Sequence, residues 1–403
     1  MTDRLYFHDA NQVEFDARVV AVLPHPRGHG VVLDRTAFYP EGGGQPADTG
    51  ELGGMSVVDV QETQDGIVHV GEREPPALGA RVTGRVDAAR RQDHREQHSG
   101  QHLLTRAFIR VAGANTLSFH LGPDVATIDL DQAALSDRQF EAVEDEASRI
   151  IRDDRPVTAA LYLDPAERPT DLRKIPVVDG AFRVITIDDY DVCACGGTHV
   201  DRTAQIGAIA VVRHERLPGD RLRVTFVCGG RARRDHRTKT RLVRELVRTL
   251  SVGEADVLAA VAQRIARAAE LDKARRELER ELLPTRVDRL VAGAEALRDA
   301  RLVVALVPEG ERDGLQDLAR GCSQRRGVVA VLASGGDKPQ LAIACGDDGA
   351  PSASVLLKSV LEPIGGRGGG SPRLAFGGFP ASSDAAVVLA AARAAIVAAW
   401  ASA

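Results

Sequence analysis

The sequence predicts an α+β protein made of several domains, and three observations lead to this conclusion. Its 403 residues exceed one ordinary domain, since domains typically contain roughly 100–200 residues. The pattern of apolar residues changes along the chain from short strand-like runs, through helical stretches, to strands alternating with helices. A hydrophobic fraction of 44% and a charged fraction of 27% are typical of a globular chain and exclude a largely disordered one.

Residues 1–88 are predicted to form a small β-barrel. Five short apolar runs are separated by Gly, Pro and Asp, which are turn residues: FDARVVAVLP, GVVLDR, SVVDVQET, GIVHVG and ARVTGRVD. Several strands this short and this closely spaced favour a barrel over an open sheet.

Residues 89–229 are predicted to form an α+β domain with an antiparallel sheet. A helical pattern runs from Asp87 to about Val111, and a second helix is predicted near 136–152. Strand patterns lie among them in ATIDLD, FRVITID, IGAIAVVRH and LRVTFVCG.

Residues 230–300 are predicted to be a helical spacer, and residues 301–403 an α/β domain. In the spacer, apolar residues recur at three- and four-residue steps among many charges, which indicates two helices before Pro284. Beyond it, LVVALVP, GVVAVLAS and QLAIACG are continuous apolar strands alternating with helical segments. A glycine-rich loop, GGRGGG at 365–370, then leads into a C-terminal helix.

Composition and charge restrict the class of protein. The formal net charge is −5, so the whole chain is not a basic nucleic-acid coat. A local basic stripe nevertheless lies between Arg231 and Arg248, where eight Lys or Arg residues face only Asp235 and Glu245. The sequence shows neither a signal peptide nor a stretch of about 20 uncharged apolar residues, so we expect no membrane span. Five cysteines give no disulfide framework, which favours a cytoplasmic location.

Three histidines stand at four-residue spacing within the first predicted helix of the second domain. His94, His98 and His102 in DHREQHSGQHLL therefore share one helix face. Two histidines at this spacing can bind one zinc ion. Spacing alone leaves open whether the pair is His94 and His98 or His98 and His102.

A second group of metal-binding residue types lies in DVCACGGTHV. Cys195 and His199 bracket two glycines, which permit a tight turn with positive φ that aims both side chains at one point. Together with two histidines they complete a tetrahedral ligand set, although Cys193 is an alternative ligand.

These segments resemble a known family. HSGQHLL followed by CGGTHV is similar to the editing domain of alanyl-tRNA synthetase, and more similar still to the free-standing alanyl-tRNA editing proteins of the long form. FYPEGGGQPADTG at 38–50 resembles the glycine-rich segment in the barrel before that domain, and GGRGGG resembles the DHHA1-type domain at the synthetase C-terminus. Several motifs in the same order are far more specific than any one alone.

The resemblance implies the metal ligands and the reaction. His98, His102, Cys195 and His199 match the family's zinc ligands and catalytic centre, which leaves His94 behind them or at the surface. Gly100 and Gln101 depart from the synthetase pattern of Ala and Thr. Because the similarity begins at the barrel, we expect a chain that removes an amino acid from tRNA and cannot attach one.

The implied reaction is zinc-dependent hydrolysis of mischarged tRNA(Ala), chiefly seryl-tRNA(Ala), with glycyl-tRNA(Ala) as a second candidate. Sites that hydrogen-bond a hydroxyl discriminate far better than sites that exclude one methyl group. Two alternatives remain: a deacylase for another mischarged tRNA, and a non-catalytic zinc-containing module that binds tRNA. The spacer or the C-terminal domain is also a candidate surface for a homodimer.

Seven further residues are candidate substrate contacts. Polar side chains near the predicted metal helix are candidates for reading the amino acid, Gln45 for contacting the acceptor end, and the C-terminal glycine-rich segment for approaching phosphates. They are Gln101, Thr116 and Ser118; Gln45; and Gly366, Arg367 and Gly368.

Overall fold

The chain folds into two compact units, Met1–Arg248 and Thr249–Ala403, which are described separately. The computed structural model describes residues 2–164, 167–173, 182–308, 314–346 and 351–402. The predicted α+β class is confirmed, because each unit combines β-sheet with helices. The division into four domains at 88, 229 and 300 stays a prediction.

The first unit begins with a seven-stranded antiparallel sheet that closes almost into a barrel. Its longest strand bends at a bulge, so that one half pairs with the strand at 81–86 and the other half with the strand at 28–33. Alternate residues of the strands point inward, and aromatic side chains such as Phe15 and Phe38 fill the interior. The strands of this region are Asp3–Arg4 (β1), Glu14–His25 (β2), Gly28–Leu33 (β3), Arg35–Thr36 (β4), Gly50–Leu52 (β5), Met55–Val57 (β6), Asp59–Thr63 (β7), Gly66–Gly71 (β8) and Arg81–Val86 (β9), with a short helix at Leu5–His8 (α1); β1 and β4 form a separate parallel pair.

The second part of this unit packs two helices on a four-stranded antiparallel sheet. Asp87 caps the first helix by accepting hydrogen bonds from two backbone N–H groups, and Gly113 ends it in the left-handed conformation at φ 64°. Ser136 and Gln139 form a capping box on the second. The elements are Ala88–Ala112 (α2), Thr116–Leu121 (β10), Ala126–Leu130 (β11), Asp137–Arg152 (α3), Ile209–Leu217 (β15) and Arg221–Cys228 (β16), followed by Gly229–Leu250 (α4).

A three-stranded antiparallel sheet lies beside these elements. It consists of Val157–Tyr162 (β12), Phe182–Ile187 (β13) and Asp191–Ala194 (β14). The glycine-rich turn and helix that follow β14 bring residues 195–206 back against α2. This return of the chain places the second half of the candidate site.

The second unit covers both faces of a six-stranded sheet with helices. Alternate residues of its central strand enter two different hydrophobic cores, so each face is buried. One of the five pairings among the described strands is parallel, so the sheet is mixed. The elements are Val257–Ala292 (α5), Glu295–Leu297 (β17), Ala300–Val307 (β18), Leu315–Ser323 (α6), Val328–Ser334 (β19), Gln340–Cys345 (β20), Ala353–Leu361 (α7), Arg367–Gly370 (β21), Leu374–Gly378 (β22) and Ala385–Ser402 (α8).

Two sequence-based expectations for this unit are wrong. The glycine-rich segment at 365–370 is not a loop, because 367–370 is an edge strand paired with β22. The long helix does not end before Pro284 but continues to Ala292. Proline removes one helical hydrogen bond, but Val287 and Val291 beyond it are buried in the core of this unit, which holds the last turns in place.

Within the part of the chain that the structure describes, no helix is both long and apolar enough to span a membrane.

Candidate metal centre

Four potential metal ligands from two distant segments meet in the first unit. His98 and His102 lie one turn apart on α2, while Cys195 and His199 flank the turn after β14. One ligand atom from each lies within 4.8 Å of the others. The two pairs of potential ligands therefore meet although they are about one hundred positions apart in the chain.

The distances in this cluster fit a tetrahedral zinc ion. The Cys195 sulfur lies 3.4 Å from Nε2 of His98 and 3.3 Å from Nε2 of His199. Zinc bonds of about 2.0–2.1 Å to nitrogen and about 2.3 Å to sulfur, at tetrahedral angles, separate the two ligand atoms by about 3.5 Å. Three imidazoles and one thiolate also form a donor set that zinc prefers. The residues present therefore fit this metal.

The pKa shifts of Cys195 and His199 suit metal binding. Burial would raise the pKa of the Cys195 thiol, but the surrounding imidazoles hold it well below its usual value. Burial, together with the neighbouring His98, holds the pKa of His199 well below its usual value. A thiolate and a neutral imidazole are the forms that coordinate metals.

Gln45 supports a ligand instead of reaching the solvent, which corrects its expected role as a contact for the acceptor end. Its side chain is fully buried. Its Oε1 accepts hydrogen bonds from Nδ1 of His98, at 2.7 Å, and from the Thr198 backbone, at 3.1 Å, while its Nε2 donates to the Thr198 hydroxyl. The bond to Nδ1 leaves Nε2 of His98 free to face the cluster.

A hydrogen bond and an ion pair lie beside the remaining two imidazoles. The Ser99 hydroxyl lies 3.1 Å from Nδ1 of His199. The buried Asp191 carboxylate lies 3.7 Å from Nδ1 of His102, an ion-pair distance and longer than a hydrogen bond, and is itself bound by Arg173 at 2.8 Å. Burial opposes ionisation of Asp191, yet His102 and Arg173 lower the pKa of this carboxyl. The buried pair thus keeps a negative charge beside His102.

The glycines of CGGTH serve close packing, which corrects the expectation of positive φ. Neither Gly196 nor Gly197 has a positive φ. A Cβ on Gly197 would lie 2.2 Å from Cε1 of His98, so only glycine lets this turn approach the metal helix. Gly100 on α2 is required for the same reason, since a Cβ there would lie 2.2 Å from the Cys228 sulfur.

A cavity of about 610 Å³ opens beside the cluster and is lined by three of the predicted substrate residues, Gln101, Thr116 and Ser118. Gln101 donates to the Thr105 hydroxyl at 2.9 Å, and this hydroxyl lies 2.8 Å from that of Thr116. Ser118 donates to the carboxylate of Asp129 at 3.0 Å. These polar groups already have partners inside the protein.

The remaining candidates lie away from the cluster. Cys193 lines the cavity, but the group of four potential ligands found among the described residues does not contain it. His94 is buried and borders a different cavity. Gly366, Arg367 and Gly368 belong to the second unit, in or next to an edge strand, and their contact with phosphates stays a prediction.

Sequence reasoning missed the residues that orient the ligands. Ser99 directly follows a ligand, and Asp191 precedes Cys195 by four positions, but both also read as ordinary surface residues. Arg183 was missed as well, although it donates to the carbonyl of Gly197 at 2.6 Å and so fixes the turn. A signal existed only for Asp191, because a carboxylate beside a metal-binding histidine is a recurrent pairing.

Two family models match parts of the chain. Residues 182–224, which include Cys195 and His199, match the family described as "Threonyl and Alanyl tRNA synthetase second additional domain". Residues 9–90 match the family described as "tRNA synthetases class II (A)".

Two alanine–tRNA ligases are similar to almost the whole of this chain. An alanine–tRNA ligase of Pyrococcus abyssi is 34% identical over 393 residues, which cover 93% of this chain and 42% of the relative. An alanine–tRNA ligase of Halorubrum lacusprofundi is 33% identical over 401 residues, or 94% of this chain and 42% of the relative. The chain thus spans less than half the length of these relatives. These matches confirm the resemblance to alanyl-tRNA synthetase.

A solved structure matches part of the chain. The crystal structure of the C-Ala domain from Aquifex aeolicus alanyl-tRNA synthetase is 26% identical and covers 26% of this chain and 97% of its own. Its TM-score of 0.24 is too low to establish a shared fold.

Proposed function

We propose that this chain, a homologue of the alanine–tRNA ligases over 93% of its length, is a zinc-dependent hydrolase that deacylates mischarged tRNA(Ala). The observation that carries the proposal is the cluster of three histidines and one cysteine at the wall of a cavity, two members of which, Cys195 and His199, lie in a segment matching a synthetase additional domain. Seryl-tRNA(Ala) is the main expected substrate and glycyl-tRNA(Ala) the second.

The proposed reaction cleaves the ester between the amino acid and the terminal ribose of the tRNA. Water adds its oxygen to the ester carbonyl, the bond to the ribose oxygen breaks, and a proton passes to that oxygen. The products are the free amino acid and tRNA with a free hydroxyl. Zinc bound by His98, His102, Cys195 and His199 would supply Lewis acidity and make a bound water more acidic.

The protein side chains set the geometry around the ester. Gln45 fixes the ring of His98, and Ser99 fixes that of His199. Each of these rings would therefore be held at Nδ1 by the protein and at Nε2 by the metal. Nδ1 of His102 has no hydrogen bond within the described structure. Four protein ligands close a tetrahedral zinc site. His102 is therefore the ligand with the most freedom to shift when substrate arrives.

Selectivity for serine over alanine would come from the polar wall of the cavity. The hydroxyl of a bound serine would exchange hydrogen bonds with the chain formed by Gln101, Thr105 and Thr116. Alanine offers no hydroxyl and would make no such hydrogen bond, and a typical hydrogen bond contributes about 0.5–1.5 kcal/mol. Correctly charged alanyl-tRNA(Ala) would thereby be spared.

The decisive experiment compares turnover of seryl-, glycyl- and alanyl-tRNA(Ala) by zinc-loaded protein. We expect rapid release of serine, slower release of glycine and little release of alanine. A parallel panel with mischarged threonine-specific tRNA tests the alternative suggested by the family description. Equal hydrolysis of all substrates, or preference for the threonine panel, would refute the proposed substrate.

Two cysteine substitutions distinguish the effect of losing a metal ligand from that of changing another residue of the cavity wall. Cys195→Ala should lose the one zinc atom per chain, measured by elemental analysis, and lose turnover at least 100-fold. Cys193→Ala removes a buried thiol two residues away, outside the cluster, and should keep both. A zinc-loaded protein that binds tRNA without any turnover would instead establish the non-catalytic module.

A further inference from the structure

A second cavity, of about 520 Å³, lies in the first unit on the other side of the loop that carries Gln45. Its charged and polar lining comes from the start of α2, the end of β10 and the start of α4. These residues are Arg90, Asp93, His94, His120, Arg231 and Arg234. None of them belongs to the metal cluster.

His94 is a buried polar group facing this cavity without a partner. Its side chain is only 2% exposed, and its Nδ1 makes no hydrogen bond within the described structure. Burial, assisted by the positive charge of Arg90, lowers the pKa of His94 to about 3. A neutral imidazole left unpaired inside a protein is costly, because buried polar groups nearly always have a partner. A ligand that accepts or donates a hydrogen bond would supply such a partner.

The charge of the cavity favours an anion. Three guanidinium groups border it and only one carboxylate, that of Asp93, so the wall carries a net charge of about +2. Arg231 is buried and held in place by Asp93, at 2.6 Å, and by the carbonyl of Gly122, at 2.8 Å. Arg90 is anchored through its Nε to the carbonyl of Ala47. Arg234 lies 3.7 Å from the Asp93 carboxylate, and its side chain, 66% exposed, can close on a bound group.

The two cavities lie next to each other along the same elements. His94 and His98 are separated by one turn of α2, about 6 Å along its axis. Residues 116–119 line the first cavity, and residues 120–123 continue into the second. The glycine-rich turn contributes Gly42 and Gly43 to the first cavity and Pro46 to the second.

We propose that this second cavity binds a phosphate group of the RNA backbone while the acylated end of the same RNA lies at the metal cluster. His94 donates or accepts one hydrogen bond, and the arginines pair with the phosphate oxygens. The inference rests on the proposed function, since it places a second contact on the same RNA. Its chemistry is distinct from that of the metal site, because it uses no metal ligand and breaks no bond.

Binding of uncharged tRNA(Ala) tests the arginine part of the site. Arg234→Ala should weaken binding several-fold at low salt and reduce the slope of log affinity against log salt by about 0.7–0.9, as for one lost phosphate contact. Arg234 is exposed, so the variant should fold normally. Arg233→Ala removes the same charge one position away and outside the cavity. It should leave the salt slope closer to that of the unaltered protein.

The imidazole signals of His94 test the site directly. In protein carrying isotope-labelled histidine, these signals should shift when uncharged tRNA(Ala) is added, and the shift should vanish in Arg234→Ala but persist in Arg233→Ala. His94→Ala identifies the signals. Inorganic phosphate, added alone, distinguishes a free anion from the RNA backbone as the source of the phosphate.

These measurements together decide whether the second cavity binds a phosphate group of the RNA. A His94 shift with tRNA, with or without one from inorganic phosphate, together with weaker tRNA binding by Arg234→Ala, supports the proposal. A shift with inorganic phosphate alone, or no shift with either, overturns it. Ester hydrolysis is measured separately, so a protein that deacylates tRNA while His94 stays silent refutes only this inference. A protein that neither binds nor deacylates tRNA refutes the proposed function as well.

Discussion

Two glycine-rich segments, EGGGQP at 41–46 in the first unit and GGRGGG at 365–370 in the second, have entirely different structures. In the first, Gly43 and Gly44 adopt positive φ values of 58° and 85° and form a tight turn closed by two backbone hydrogen bonds between Gly42 and Gln45. In the second, 367–370 is an extended edge strand, and a Cβ on Gly368 would lie 2.5 Å from the backbone of Gly377. Glycine serves chain reversal in one segment and close strand packing in the other.

The polar side chains next to the glycines show how the two segments differ in their relation to the candidate site. Gln45 is fully buried and joins the turn to His98 of the candidate metal cluster, whereas Arg367 is exposed on its strand. The chain on either side of the first segment is also held by the buried ion pair of Asp48 and Arg91, because Asp48 accepts a hydrogen bond from the backbone of Tyr39. In this protein, the glycine-rich segment beside the candidate site is the one whose neighbouring polar side chain is anchored to it.

The largest effect should come from breaking the ion pair beneath the first segment. Asp48 is fully buried, accepts from Nε of Arg91 at 3.1 Å and from the backbone of Tyr39 at 2.7 Å. Asp48→Ala leaves a buried guanidinium unpaired, so the free energy of unfolding should fall by about 3–5 kcal/mol. Urea unfolding measures this change.

The control for that variant is a pair exposed to solvent. Glu245 binds Arg248 at 3.0 Å on the surface of α4. Glu245→Ala should change the free energy of unfolding by about 1 kcal/mol or less. Equal effects of the two variants would show that the first segment is not anchored by its ion pair.

Next in size is the loss of the hydrogen bond from the turn to the metal cluster. Gln45→Ala should lower zinc affinity or turnover by about 10–100-fold, as is usual when a group that orients a ligand is removed. Competition with a chromogenic zinc chelator measures the affinity. Arg367→Ala, in the other glycine-rich segment, should leave zinc affinity unchanged, and a loss there would contradict the distinction between the segments.

A smaller effect is expected from adding one methyl group to a glycine. Gly197→Ala forces a Cβ against the His98 ring and should cost about 1–3 kcal/mol of stability while weakening metal binding. Gly369→Ala meets nothing within 4 Å, and Gly369 has no positive φ, so it should be neutral. Thermal unfolding with and without zinc compares them. Tolerance of Gly197→Ala would mean that the turn can move away from α2.

The smallest effect concerns the second segment and RNA. If Arg367 pairs with one phosphate, Arg367→Ala should weaken tRNA binding a few-fold and reduce the salt slope by about 0.7–0.9. Filter binding at several salt concentrations measures both quantities. Unchanged affinity and slope would assign the edge strand another role, such as contact with a second copy of the chain.

Periodicity predicted the secondary structure well, because strands and helices are specified locally. The strand at 66–71 and the helix near 136–152 occur where the apolar pattern indicated them. The extended conformation of 367–370 and the continuation of the helix through Pro284 could not be read locally. Both depend on packing within the second unit that overrides the preferences of Gly and Pro.

The sequence predicts which residues could bind a metal in the candidate site, but it does not predict which residues hold those ligands in place. Histidine and cysteine spacing indicates metal chemistry without any structure, and the four residues do meet. Gln45 contacts Thr198 across 153 positions, and no local pattern reveals such a pairing. A buried glutamine and an exposed one look the same in a sequence, which is why Gln45 was expected to face the RNA.

The spacing of the ligands has a consequence for how the first unit folds. Cys195 and His98 are 97 positions apart, so a metal ion held by both would close a long loop in the chain. Because the four ligands come together only when the chain folds, the binding free energy of the ion would add to the stability of the folded state. The bound ion would therefore stabilise the folded first unit, and chelation would lower the melting temperature of this unit in addition to stopping any reaction.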